Sequence, residues 1–352
     1  MEIIIDLRLI NHSGIGRYLK SLIPELFLES ETTKELLITT MGDERELRQF
    51  NWFDKSRHIQ FTAKPFSVKE QLFFFKIRKR KEALWVPHFN VPFYIAKNQR
   101  LFVTVHDVYP LAGYESNSLF AKLYLALTFR TIKKHAVKIF TVSEFSKKEI
   151  IVHARCNADK IIPILLGPPK LPFVDPNIKP DFKYILYVGN IKRHKNLRNS
   201  ILAFKKAHKF FPDIKFLIIG NKENLRTSDI EVDDLLNTTE GVLFTGYIDD
   251  KKLAFYYANC ELLLFPSMYE GFGLPVLEAL SFERQVITSN VASLPEVGGD
   301  AVHYVSPYDV NNISDVLLEV LNNRRKISNA DMHSQLRKFS WKNVAKSYLR
   351  EF

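Results

Sequence analysis

Two glutamates eight positions apart, Glu270 and Glu278, bracket the stretch Gly271-Phe-Gly-Leu-Pro275. Upstream, Leu262-Leu-Leu-Phe265 is a short apolar run of the kind that forms a strand buried on both faces. Downstream, Pro275 suits a first helical position, and Val276, Leu277 and Leu280 supply an apolar stripe. Between them, two glycines let backbone amides face outward with no side chain in the way. Strand, glycine loop and helix N-terminus together make an anion site, because unpaired N–H groups and the helix dipole converge there. A carboxylate beside such a site repels phosphate but accepts well from the paired hydroxyls of a ribose or a sugar. The stretch reads as a sugar-nucleotide site.

Other residues able to do chemistry sit at similar junctions. Tyr184-Ile-Leu-Tyr-Val-Gly189 is a strand ending in glycine, and Lys192, Arg193 and Lys195 follow before a helix. Three cations at a strand-to-helix turn either neutralise a diphosphate or form a solvated charged turn. His106 and Asp107 close the apolar strand Leu101–Val105 at its C-terminal end, where ligands of doubly wound sheets collect. They are either a site pair or a satisfied structural histidine with its neighbour. Gly14 and Gly16, after the strand Glu2–Leu7, read as a turn where backbone approaches a ligand or where elements pack closely. His88 and Asn90 either line a ligand site or pack within their loop. The paired aspartates Asp233-Asp234 and Asp249-Asp250 lie in polar surroundings and read as solvated turns, so no metal is expected.

These junctions recur along 352 residues, a length that suits two domains. Repeated strand, glycine and helix units predict α/β architecture with two Rossmann-like domains. The expected domains are 1–172 and 173–338, divided by the proline-rich stretch from Gly167 to Pro180, with a terminal helix over 339–352. Apolar residues make up 46% and charged residues 25%, which excludes a disordered chain. No run approaches the roughly 18 apolar residues of a membrane span. The two cysteines, Cys156 and Cys260, lack metal-like spacing and suit a reducing, cytoplasmic setting. The formal charge of +11 is lopsided: residues 1–175 hold 27 Lys+Arg against 18 Asp+Glu, leaving 23 against 21 for the rest. The first domain therefore faces an anionic partner, or uses the charge for solubility. Leu72–Phe75 with Lys76 and Arg78–Lys81 reads as a lipid-interface segment or a core helix with a basic end.

The ordered set Ser13-Gly-Ile-Gly-Arg-Tyr18, Val103-Thr-Val-His-Asp107, Phe140-Thr-Val-Ser143, Tyr187-Val-Gly189 with Lys195-Asn196, Glu270 with Glu278, and Ser289-Asn290 with Leu294-Pro-Glu296 resembles glycosyltransferase family 4, the retaining group-1 glycosyltransferases of the GT-B fold. The resemblance implies two Rossmann-like domains facing each other across a cleft, with the C-terminal helix crossing back to the first. It implies that Glu278 holds ribose hydroxyls, Glu270 the donor sugar's hydroxyls and Lys195 the diphosphate, aided by amides at Gly14, Gly16, Gly271, Phe272, Gly273 and Leu274. His106 would lie at the donor sugar and aid charge separation, and the backbone near Tyr247 would meet the base. Catalytic roles thus fall to His106, Glu270 and Lys195. Two departures stand out. Asn190 occupies a position where many members carry Arg, a charge left to Lys192, Arg193 or His194 to supply, and Glu283-Arg-Gln-Val286 replaces a Gly-x-Pro-Val turn, which should alter that turn.

The expected activity is metal-independent retaining transfer of a hexose, mannose by the mannosyltransferase-like signatures, from GDP-mannose as co-substrate with no cofactor. The acceptor would be a glycan or lipid-linked molecule in surface polysaccharide synthesis of the lipopolysaccharide type. Peripheral contact of the basic first domain with the inner face of an anionic membrane fits this reading, and nucleic acid does not. A UDP-sugar donor, a GT-B epimerase, a two-carboxylate hydrolase and a basic nucleic-acid or membrane-binding module are the competing readings.

Overall fold

The computed structural model describes residues 2–33, 36–77, 82–113, 119–221 and 230–352, so the basic run Arg78–Lys81 lies outside the described residues. The chain divides into two units, Met1–Gly167 with Ser340–Phe352, and Pro168–Phe339.

The first unit is built on a seven-stranded sheet of β1 (Glu2–Asp6), β2 (Leu37–Gly42), β3 (Arg57–Gln60), β4 (Ala83–Val86), β5 (Leu101–Thr104), β6 (Ala136–Thr141) and β7 (Ile161–Pro163). Its order is β3-β2-β1-β4-β5-β6-β7, and every pairing is parallel. Strands of this kind are covered on both faces, which is why Ile3–Ile5 and Leu101–Val103 are continuous apolar runs with no exposed surface. The second unit carries β8 (Tyr184–Val188), β9 (Lys215–Ile219), β10 (Val242–Gly246), β11 (Leu262–Phe265), β12 (Gln285–Ser289) and β13 (His303–Val305). Their order is β10-β9-β8-β11-β12-β13, again all parallel. Each unit is a doubly wound Rossmann-like sheet. The order reverses between β1 and β4 in the first unit and between β8 and β11 in the second, and ligands of such sheets bind outside the strand C-termini at the reversal.

The terminal helix Trp341–Glu351 belongs to the first unit and packs on the helix Ser13–Thr33. The Tyr18 hydroxyl donates to the Tyr348 hydroxyl at 2.6 Å, and Trp85 Nε1 donates to Thr104 Oγ1 at 3.0 Å beside it. Gly167 is required at the edge of this contact, since a Cβ there would lie 2.6 Å from the Trp341 amide nitrogen.

Three local expectations change. The helix begins at Ser13, so Gly14 and Gly16 lie in its first turn and not in a glycine turn before it. Asp233 and Asp234 lie within the helix Ile230–Thr238, while Asp249 caps the helix Asp250–Asn259 by accepting from the Lys252 amide at 2.8 Å. The Glu283 turn retains the geometry that a glycine would take. The Arg284 amide donates to Ala279 O at 3.0 Å and the Glu283 amide to Leu280 O at 2.9 Å, closing the helix end with Glu283 at φ 56°. A side chain in that conformation is strained by roughly 1–2 kcal/mol. Exposed contacts of Glu283 with His333 at 2.9 Å and Asn329 at 2.7 Å offset part of it.

Candidate functional site

In the second unit the loops after β8 and β11, the two strands flanking the reversal, bring Lys195 and Glu270 together. Lys195 stands in a one-turn helix, Arg193–Lys195, that ends on Asn196 in the left-handed region at φ 59°. Asn196 holds this turn down, its Nδ2 donating to Pro266 O at 2.8 Å and Pro307 O at 2.7 Å. Lys195 Nζ meets both carboxylate oxygens of Glu270, at 2.6 and 2.7 Å. Glu270 is 8% exposed, so its charge is largely withdrawn from water and relies on the lysine. A cation and a carboxylate are thereby held at the mouth of a helix N-terminus.

That N-terminus is open to an anion. The helix Leu274–Ser281 starts after Gly273, whose φ of 111° excludes other residues and whose Cβ would strike Leu294 Cδ2 at 2.7 Å. Among the described residues no acceptor takes the Phe272, Gly273 or Leu274 amides. Three fully buried serines pin the loop. Ser267 Oγ contacts His194 O at 2.9 Å, Ser289 Oγ donates to Ser267 O, and Ser293 Oγ lies 2.9 Å from Glu270 O and 2.7 Å from Phe272 O. Ser293 stands directly before the helix Leu294–Gly298, where a serine ordinarily caps. Its hydroxyl makes no capping bond and clamps the glycine loop instead.

Glu278 exposes none of its surface and accepts from the Tyr257 hydroxyl at 2.5 Å. A ribose reaches it only if neighbouring groups move. Arg193 is exposed and without an ion-pair partner among the described residues. His194 is driven down to about 3 by burial, reinforced by Lys195 and Lys192, so it is neutral and adds no charge in place of the arginine expected at Asn190. Asn190 Oδ1 accepts from the Asn221 amide at 3.4 Å and is tied to its own loop. Tyr247 is 80% exposed beyond β10, three strands from β11. At about 4.8 Å per strand that is roughly 14 Å along the sheet edge, a span suited to an extended ligand.

The first unit distributes its residues differently. The Gly16 amide donates to His12 O at 2.7 Å, so it is not available to a phosphate. A Cβ on Gly16 would collide with Ile10 O, which makes this glycine a packing requirement. Gly14 faces open space. His106 Nε2 is 3.0 Å from Pro87 O, an acceptor only, so that nitrogen carries the proton and Nδ1 keeps its lone pair. Burial lowers the His106 pKa, opposed by the Pro87 carbonyl and by Asp107, and the ring stands edge-on to Tyr18 at 4.8 Å. A neutral imidazole of this tautomer accepts a hydroxyl; it does not by itself counter an anion.

At the β1/β4 reversal lies a buried ionic cluster that sequence reading did not find. Arg8 grips Asp6 through Nε at 2.9 Å and its second guanidinium nitrogen at 2.6 Å, and reaches Glu70 Oε1 at 2.6 Å. Arg8 also stacks over Phe61 at 4.1 Å. Asn90 Nδ2 donates to Glu70 at 2.8 Å, and the Asn90 amide donates to His88 Nδ1 at 3.1 Å. His88 and Asn90 thus pack as a network. Burial would raise the Asp6 carboxyl, but Arg8 and His88 outweigh it and hold it well below the usual range.

Residues 172–339 match the family model described as glycosyl transferases group 1. The chain is 31% identical over 274 residues to O-antigen chain mannosyltransferase B of Escherichia coli, covering 73% of this chain and 70% of that one. It is 26% identical over 294 residues to the serotype-specific mannosyltransferase WbdA of Escherichia coli, spanning only 35% of that longer protein. In fold it is similar to a Rickettsia africae glycosyltransferase, with TM-score 0.70, 17% identity and coverage of 99% and 97%. It is likewise similar to Anabaena HepE, with TM-score 0.73, 14% identity and coverage of 99% and 98%.

Proposed function

The chain belongs to the glycosyl transferases of group 1, and from that premise we propose that it transfers mannose from GDP-mannose to a glycan or lipid-linked acceptor, in O-antigen-type polysaccharide synthesis on the cytoplasmic side. Transfer retains the anomeric configuration and needs no metal. The mannosyltransferase relatives support the sugar and the pathway class. One observation carries the chemistry: Lys195 and Glu270 paired at the β8/β11 reversal, beside the open amides of Phe272–Leu274.

Departure of a nucleoside diphosphate puts negative charge on its terminal phosphate. Lys195, Arg193 and the loop amides stabilise that charge, and Lys195 then exchanges part of its contact with Glu270 for phosphate oxygens. Glu270, freed on one side, accepts hydroxyls of the sugar. The acceptor oxygen attacks from the face the phosphate leaves, and the phosphate takes its proton. Glu278, steered by Tyr257, binds the ribose, and the surface at Tyr247 meets the base. In the first unit, His106 Nδ1 accepts a substrate hydroxyl, and the exposed Gly14 contacts the donor.

A panel of GDP- and UDP-sugars read by thermal shift, followed by transfer with the product anomer assigned by NMR in the presence of EDTA, tests this. GDP-mannose should give the largest shift and an α-linked product. Stabilisation by a UDP-sugar alone would replace the donor, an inverted product the mechanism, and silence to every sugar nucleotide the whole reading.

A further inference from the structure

Among the described residues, the first unit carries an unusual exposed apolar surface. On the helix Val68–Ile77, Val68, Leu72 and Phe75 recur at steps of four and three, so they share one face, and all three are exposed. On the helix Leu119–His135, Leu119, Leu123 and Leu127 recur at steps of four and are likewise exposed, with Phe120 81% exposed beside them. The two helices adjoin. Gln71 Nε2 reaches the Tyr124 hydroxyl at 3.5 Å, and Gln71 Oε1 accepts from the Phe93 amide at 2.8 Å. The Tyr124 ring lies 5.6 Å from Phe66 and 5.1 Å from Phe93, and Phe75 lies 6.0 Å from Tyr94.

Large exposed apolar groups in contact with one another mark a surface meant to be covered. The charges around it say by what. Segments 61–77, 89–100 and 119–135 hold nine lysines and arginines, every one exposed. Their single acidic residue, Glu70, is fully buried and bound to Arg8. A protein partner would have to be almost wholly acidic to complement these cations. Anionic headgroups above acyl chains match both halves of the pattern, apolar side chains entering and cations paired outside. No helix of the described residues is long and apolar enough to cross a membrane, so the fit is to a surface.

We propose that the face formed by Val68–Phe75, Phe93–Tyr94 and Leu119–Leu127 seats the first unit on an anionic lipid bilayer. This rests on the transferase reading only for its purpose, which is to meet a lipid-linked acceptor where it lies. The buried Arg8–Asp6–Glu70 cluster anchors the base of the first helix, so the stripe is presented on a rigid support.

The test is flotation of the full chain with phosphatidylcholine vesicles, with and without phosphatidylglycerol. The wild type should float with the anionic vesicles only and release at high salt. Leu72→Ser with Phe120→Ser and Leu123→Ser should cut binding roughly tenfold or more while leaving the melting temperature in place, since these side chains already face water. Lys69→Glu with Lys122→Glu should do likewise. Equal flotation with neutral vesicles, or undiminished binding by both variants, overturns the proposal. So does a dimer in the wild type that the serine variant abolishes, which would assign the face to a second copy. Thermal shift by GDP-mannose is read on the same preparations without lipid. A donor response with no vesicle binding refutes this face alone, and vesicle binding without a donor response refutes the transferase reading alone.

Discussion

Replacing Lys195 by Met removes one charge and keeps most of the stem, which makes it the most direct probe of the site. Glu270 would then sit 8% exposed, with both oxygens deprived of contacts now at 2.6 and 2.7 Å. Removing one partner of a fully buried pair costs about 3–5 kcal/mol. Here the lysine side chain is 20% exposed, so water recovers part of the loss and about 2 kcal/mol is the better figure. For a unit of this size that lowers the melting temperature by about 4–8 °C. The kinetic effect is separate. Losing a group that stabilises charge on the departing diphosphate costs about 10²–10³-fold in kcat. Pairing Lys195→Met with Glu270→Gln separates the two, because the amide removes the stranded charge. The double variant should recover most of the melting temperature and none of the turnover. A single variant within 1 °C of wild type would show that the pair does not hold the loop. A kcat within about threefold would remove Lys195 from the chemistry.

Other perturbations bear on other parts of the molecule. Arg8→Met strands Asp6 and Glu70 without their cation and should lower stability by about 3–5 kcal/mol at neutral pH. In the wild type the depressed Asp6 pKa contributes stability above about pH 4, lost only as pH falls through the folded value. In the variant the buried carboxylates resist ionisation, so its deficit in urea unfolding should shrink from pH 7 to pH 5; a constant deficit contradicts the charge argument. His194 and His303 titrate near 3 and 4 because burial disfavours their cations. Stability should therefore fall as pH drops from about 6.5 toward 4, and His303→Gln should flatten the slope of urea midpoint against pH. Glu283→Gly should raise the melting temperature by about 2 °C, and a drop would mean that its exposed contacts outweigh the left-handed strain.

What could be read beforehand follows from how local the cause is. β11 was visible because a strand covered on both faces must be apolar throughout, and Leu262–Phe265 is. The Glu270–Glu278 loop was visible because strand, glycine and helix are adjacent in the chain. Its support was not. Ser293 reads as a helix cap from its neighbours, yet its hydroxyl goes to carbonyls of residues 270 and 272, a partnership set by tertiary packing. Gly16 has the same appearance whether it serves a ligand or admits Ile10, and only the backbone decides for Ile10. The Arg8–Glu70 bridge joins residues 62 positions apart, with no spacing rule to reveal it. Tyr257 and Glu278 were hidden for the same reason. From the sequence, Lys122 to His135 reads as a basic helix and its exposed stripe stays hidden, since periodicity shows that a face is apolar and not whether anything covers it.

The last segment, Ser340–Phe352, belongs to the first unit, while everything from Pro168 to Phe339 belongs to the second. This has a consequence during synthesis. At about 5–20 residues per second, the ribosome spends roughly 10–35 s making the second unit before it reaches Trp341 and Tyr348. Throughout that interval Tyr18, Trp85 and Thr104 lack the helix that covers them. The second unit is contiguous and emerges whole, so it can fold first. The first unit, begun earlier, is completed last, and a chain released before Ser340 would present a finished second unit beside an open seam that proteases and chaperones can recognise.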